Sequence, residues 1–165
     1  MTEVPPVQPE RERAIELAYR AVGARDRTVA ELRTCLERKR VEPAAIDEAV
    51  AELIDAGFLD DARYARRFAE DKRSLDRWGS ERIARDLRRR GVGPEQVAEA
   101  VAAQDRQAEL QTALLLLGAR FPEPPTDDRG RDRAWSLLVR RGYEPELAYE
   151  AVRRHGRRGE DRRAA

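Results

Sequence analysis

The strongest constraint on this chain is an internal repeat. The tripeptides Val41-Glu42-Pro43, Val92-Gly93-Pro94 and Tyr143-Glu144-Pro145 recur at a spacing of 51 residues. Leu36, Leu87 and Leu138 fall in register upstream of the prolines, as do Arg38, Arg89 and Arg140. Downstream lie Glu48-Ala49-Val50, Glu99-Ala100-Val101 and Glu150-Ala151-Val152. With the prolines, six positions are identical three times over without a gap. Such a chain folds as like modules in tandem.

Each anchor reads as two helices. An apolar stripe at spacings of three and four leads to a short turn, and proline then takes the first position of the next helix, where its missing N–H costs nothing. Thr28-Val29-Ala30-Glu31 has the form of a capping box, in which hydroxyl and carboxylate each satisfy an orphan amide. Leu32 and Leu36 face inward from the helix it starts, and Ile46, Val50 and Leu53 from the next. One more helical pattern precedes each pair, at residues 11 to 25, 60 to 76 and 106 to 119. Gly57 suits a left-handed C-cap, Asp60 the following N-cap, and Leu59 with Tyr64 a hydrophobic staple. Nothing alternates like a strand. The expected fold is all-α, three tandem three-helix, helix-turn-helix-like repeats in an elongated, curved arrangement. The repeats should span 11–58, 59–104 and 105–155, between a disordered tail at 1–10 and a basic disordered tail at 156–165. Residues 122 to 128 read as a loop.

Composition narrows function mainly by exclusion. The 165 residues carry 33 basic and 32 acidic side chains, and 39% of the chain is charged. The longest apolar run, Ala113 to Leu117, is far short of the roughly 20 residues a membrane helix needs, and the first residues lack a signal peptide's basic start and apolar stretch. A cytoplasmic protein is expected. Cys35 and His155 are the only residues of their kinds, so no disulfide, metal site or cofactor is expected. Cys35 reads as a small core residue. His155 reads as a charge at a fraying helix end. Capping accounts for Asp60-Asp61, and no further acid is tied to them by spacing, so an enzyme is not expected.

Gly57-Phe58-Leu59-Asp60-Asp61-Ala62-Arg63-Tyr64-Ala65, Arg77-Trp78-Gly79…Ile83 and Leu87-Arg88-Arg89-Arg90-Gly91-Val92 together resemble the RecX family of recombinase regulators. Arg25-Asp26-Arg27-Thr28…Glu31-Leu32 is similar to that family's first-module motif, and Arg141-Gly142-Tyr143 to its third. Arg40 stands where the family usually has glycine. The similarity runs from about residue 11 to residue 155. It implies three tandem three-helix modules, and a protein lying along the groove of a RecA–DNA filament in recombinational repair and the SOS response. There it would limit filament growth and suppress ATP hydrolysis and strand exchange.

The charge is unevenly placed, since residues 60–91 hold 11 basic and 7 acidic side chains. Helical spacing puts Arg63, Arg66, Arg73 and Arg77 on one face, and Arg82, Arg85 and Arg89 on a face of the next helix, with Arg88 beside them. Guanidinium groups grip phosphate oxygens bidentately, so these eight arginines are the candidate filament- and DNA-binding residues. A solvated face laced with intrahelical ion pairs is the plainer alternative. The helix from 80 to 90 offers no Asn or Gln for adenine, which argues against base reading. Trp78 is either a stacking platform or a packing residue. Arg153, Arg154, Arg157, Arg158, Arg162 and Arg163 form a basic tail. The expected partners are a RecA-type filament and, weakly and without sequence preference, single- or double-stranded DNA, bound by a monomer. A general DNA-binding protein and a helical-repeat adaptor without nucleic-acid role are the rival readings.

Overall fold

The computed structural model describes residues 8–164. Among them are nine α-helices and no strand: α1 (Gln8–Ala24), α2 (Val29–Arg38), α3 (Pro43–Asp55), α4 (Asp61–Ser74), α5 (Ser80–Arg89), α6 (Pro94–Ala102), α7 (Arg106–Arg120), α8 (Asp128–Arg140) and α9 (Pro145–Ala164). The 51-residue repeat maps onto the pairs α2–α3, α5–α6 and α8–α9. Pro43, Pro94 and Pro145 each open the second helix of a pair, where proline's fixed φ suits a first turn.

The invariant leucine closes the first helix of each pair. The carbonyls of Leu36, Leu87 and Leu138 accept the N–H of Val41, Val92 and Tyr143 at 3.3, 3.1 and 3.1 Å. The preceding N–H groups of Arg40, Gly91 and Gly142 donate to Glu37, Arg88 and Val139 at 2.8, 2.9 and 3.0 Å. This pairing is the Schellman motif, which needs a left-handed residue in the middle. Gly91 and Gly142 take φ of 81° and 90°, and Arg40 takes 58°. The arginine therefore makes the same turn as the glycines, at a steric cost of about 1–2 kcal/mol. Leu36, Leu87 and Leu138 are fully buried, as are Ala49, Ala100 and Ala151 of the second helices. The repeated residues thus set helix ends and helix-to-helix closeness.

The chain divides into two compact units, and the middle module's helices contribute to both. One unit comprises the residues up to Ala65 with Leu87–Val97, the other Arg66–Asp86 with the residues from Ala98 onward. In the first, α1 and α3 enclose Leu32, Leu36, Ile46, Val50, Leu53 and Leu59 together with Ala14 and Ala18. Phe58 meets Tyr19 edge-on at 5.3 Å. In the second, α7, α8 and α9 bury Leu110, Leu117, Leu138, Tyr143 and Leu147.

Three expectations need correction. α4 ends at Ser74 and Arg77 has φ 51°, so Arg77 leaves the face shared by Arg63, Arg66 and Arg73. The terminal helix does not fray near residue 155 but continues to Ala164. His155 is buried there, with Nε2 2.8 Å from the Phe121 carbonyl oxygen. Gly159 lets the Pro124 ring approach to where a side chain would stand, and this packing overrides the weak helix propensity of the two glycines. At the other end α1 includes Gln8 and Pro9, and the rest of the expected N-terminal tail, residues 1–7, lies outside the described residues, as does Ala165.

Candidate functional site

The motif residues meet one another at two joints, each inside one compact unit. In the first unit the N-terminus of α2 docks on the C-terminus of α5. Thr28, fully buried, accepts the Glu31 N–H at 3.1 Å and donates its hydroxyl proton to the Arg90 carbonyl at 2.6 Å. The capping box is only half formed, because the Glu31 carboxylate bridges Arg90 at 2.8 Å and Arg25 at 3.1 Å. The amide of Val29 is taken by Asp61 Oδ1 at 2.9 Å. Of the Asp60-Asp61 pair, therefore, Asp60 caps its own helix at the Arg63 N–H and Asp61 caps α2. Burial raises the Asp61 carboxyl above its ordinary pKa, with the Val29 N–H working against that rise. Burial likewise raises the Tyr64 phenol, opposed by Arg90.

The second unit repeats this joint one module later. The N-terminus of α5 docks on the C-terminus of α8: Gly79 N–H donates to the Arg141 carbonyl at 2.9 Å and Glu81 N–H to the Gly142 carbonyl at 3.0 Å. Ser80 N–H donates to Glu109 Oε1 at 2.7 Å. The Arg141 guanidinium reaches the Asp76 carbonyl, and the Tyr143 hydroxyl the Arg77 carbonyl, each at 2.8 Å. A Cβ on Gly79 would overlap the Gly142 carbonyl, and one on Gly142 would overlap the backbone of Arg82. Burial, reinforced by Glu109, holds the Tyr143 phenol far above its ordinary pKa.

Contacts inside the two units absorb several of the candidate arginines. Arg63 donates to the Gly57 carbonyl at 2.9 Å, closing the α3–α4 turn. Arg73, half-buried, donates to the carbonyls of Ala100 and Val101 at 2.8 and 2.9 Å, and so caps α6. Burial lowers its pKa, with Glu109 and Glu70 acting the other way. Arg77 donates to the Leu115 carbonyl at 3.2 Å. Arg82 lies 3.9 Å from the centre of the Trp78 ring, which Lys72 approaches to 4.8 Å and Phe68 meets edge-on. Trp78 is a packing residue, its ring engaged by cations of its own unit.

Arg66, Arg85, Arg88 and Arg89 remain exposed. Among the described residues, Arg66, Arg85 and Arg88 have no carboxylate partner. Arg88 and Arg89 line a groove of about 740 Å³ in the first unit, opposite Arg38 and Lys39 at the end of α2. Arg38 and Lys39 stand outside the candidate arginines named from the sequence, although the repeat register of Arg38 with Arg89 was a usable signal that the two would meet in one groove. No cluster of three or more metal-ligating side chains occurs among the described residues, and no described helix is long and apolar enough to cross a membrane. Cys35 is half-buried against the first core.

Comparisons with known proteins place these features. Residues 14–53 match the first three-helix domain of RecX, and residues 60–101 the second. Regulatory protein RecX of Deinococcus radiodurans is 37% identical over 144 residues, 87% of this chain and 69% of that protein. Its counterpart in Trichlorobacter lovleyi is 35% identical over 134 residues, 79% of this chain and 87% of that protein. The crystal structure of RecX from Lactobacillus salivarius superposes with a TM-score of 0.80 at 15% identity, covering 89% of this chain and 97% of that one. Another RecX crystal structure gives 0.76 at 18% identity, covering 92% of this chain and 79% of that one. By these matches the chain belongs to the RecX family of regulatory proteins.

Proposed function

We propose that this chain regulates a RecA-type recombinase by binding the recombinase–DNA filament and hindering its extension, ATP hydrolysis and strand exchange. Membership of the RecX family carries the reading. The chemistry of the middle module supports it. With Arg63, Arg73, Arg77 and Arg82 engaged inside their own units, the exposed Arg66, Arg85 and Arg88 are left as cations able to meet phosphates or carboxylates of a partner. Mechanism on this reading is steric and electrostatic. A cytoplasmic monomer bridging neighbouring recombinase subunits blocks monomer addition and the subunit movements that hydrolysis requires, and no covalent step is involved. Direct, sequence-independent DNA binding is the second reading, favoured by the cationic groove between α2 and the end of α5.

The test is recombinase ATP hydrolysis on single-stranded DNA with this protein added in substoichiometric amounts. Hydrolysis should fall and filaments should shorten. Unchanged hydrolysis with unchanged filament length would refute the proposal.

A further inference from the structure

Aromatic residues make up only 5% of the chain, yet Trp135 and Tyr149 of the second unit are 37% and 61% exposed. Both line a concavity of about 760 Å³ between α8, α9 and the segment Pro124-Pro125-Thr126, a size within the roughly 300–1,000 Å³ of small-molecule sites. To its walls α8 contributes Asp132 and Trp135, and α9 contributes Tyr149, Arg153, Gly156 and Arg157, each set sharing a helical face. The proline segment is held from both helices. Arg131 donates to the Thr126 carbonyl at 3.0 Å, and the Pro124 ring packs where Gly159 has no side chain. The indole is fixed too, its Nε1–H donating to the Pro145 carbonyl at 3.2 Å.

The charges that line this pocket do not all satisfy one another. Arg131 is taken by Asp128 at 3.0 Å. Arg153 and Arg157 are exposed and have no carboxylate partner among the described residues, although Arg153 stands 5.8 Å from the centre of the Tyr149 ring. The exposed Asp132 has no cationic partner among them. Arg153 and Arg157 lie one helical turn apart, so both guanidinium groups can close on one anion. Two unneutralised cations match a dianion, and a phosphomonoester, with its second pKa near about 6, carries close to two charges at neutral pH. The exposed rings accept another flat ring by stacking, and a free carboxylate accepts N–H groups from the edge of such a ring.

We propose that this pocket binds a free purine nucleoside monophosphate. Arg153 and Arg157 hold its phosphate, Trp135 and Tyr149 take its base, and Asp132 accepts the N–H groups at the base edge. A purine covers more of the two aromatic faces than a single ring does, and a phosphate alone covers neither. The site shares no residue with the arginines left to a recombinase partner, so its failure and the failure of the regulatory reading are separate events.

The experiment is isothermal titration calorimetry of the full chain with AMP and GMP, beside adenosine and inorganic phosphate, which each carry one part of the recognised group. The wild type should bind one nucleotide per chain, and adenosine and phosphate about tenfold more weakly or worse. Arg153→Gln/Arg157→Gln should lose about tenfold or more in affinity for both nucleotides. Gly156→Leu should abolish binding by filling the pocket. Its Cβ meets nothing within 4 Å and leucine favours a helix over glycine, so its melting temperature should not fall. Absence of saturable AMP or GMP binding, wild-type affinity in either variant, or phosphate binding as tight as nucleotide binding overturns the assignment. Displacement of AMP by an oligonucleotide without a terminal phosphate, at equal concentration of bases, also overturns it, because the pocket then takes a strand and not a free nucleotide.

Discussion

The two joints use the same element ends, one module apart, and hold them by different chemistry. At the first, side chains do the work: Thr28, Asp61, Glu31 and Arg90 satisfy the start of α2 and the end of α5. At the second, backbone meets backbone, with Gly79 against Gly142 and two main-chain hydrogen bonds between the segments. A side-chain joint tolerates replacement of one partner at the cost of the hydrogen bonds that partner makes. A glycine joint does not, since any Cβ must displace main chain.

Gly142→Ala should therefore give the largest loss. Its φ of 90° is unfavourable to any L residue and its Cβ would overlap the Arg82 backbone. Strain and overpacking together predict about 4 kcal/mol, read by urea unfolding. Gly91→Ala at the first joint should cost about 3 kcal/mol by the same terms. Its Cβ would overlap the Ala30 methyl group, and Ala30→Gly removes that obstacle. The double variant should recover the overpacking part and leave the strain. Equal losses at both joints, with no rescue, would show that the two do not differ as described.

Thr28→Ala follows, at about 2 kcal/mol, because it removes both an N-cap and the buried hydroxyl's bond to Arg90. Tyr143→Phe should cost about 1 kcal/mol at neutral pH. Its distinctive effect is alkaline. The folded-state phenol pKa lies above the unfolded value, so the stabilisation is whole below about pH 10 and declines as pH rises beyond it. Unfolding midpoints of Tyr143→Phe should fall less steeply than wild type above that pH. Arg40→Gly is the smallest change and the one gain, about 1 kcal/mol, because it relieves a left-handed arginine without disturbing the turn's hydrogen bonds.

The repeated leucines, the prolines that open α3, α6 and α9, and the caps at Gly57 and Asp60 were legible because each is a local rule with a local partner. The fate of the arginines was not. Periodicity places Arg73 on an exposed stripe, yet its guanidinium turns to carbonyls 27 and 28 residues away. Placing Arg77 on the same face assumes a helix that continues, whereas the chain turns at a left-handed residue. Long-range partners of this kind leave no mark in spacing. His155 and the extension of α9 depend likewise on Phe121 and Pro124, which reach the helix from elsewhere in the second unit. Only the Arg38–Arg89 correspondence carried a trace of the groove.

On the proposed function, the motif residues build the joints and the exposed Arg66, Arg85 and Arg88 are left to meet the partner. The most direct test titrates recombinase ATP hydrolysis on single-stranded DNA with Arg66→Glu/Arg85→Glu/Arg88→Glu beside the wild type. The account predicts a variant with wild-type helicity and melting temperature that needs at least ten times more protein for the same inhibition. Full inhibition at wild-type concentrations would contradict it.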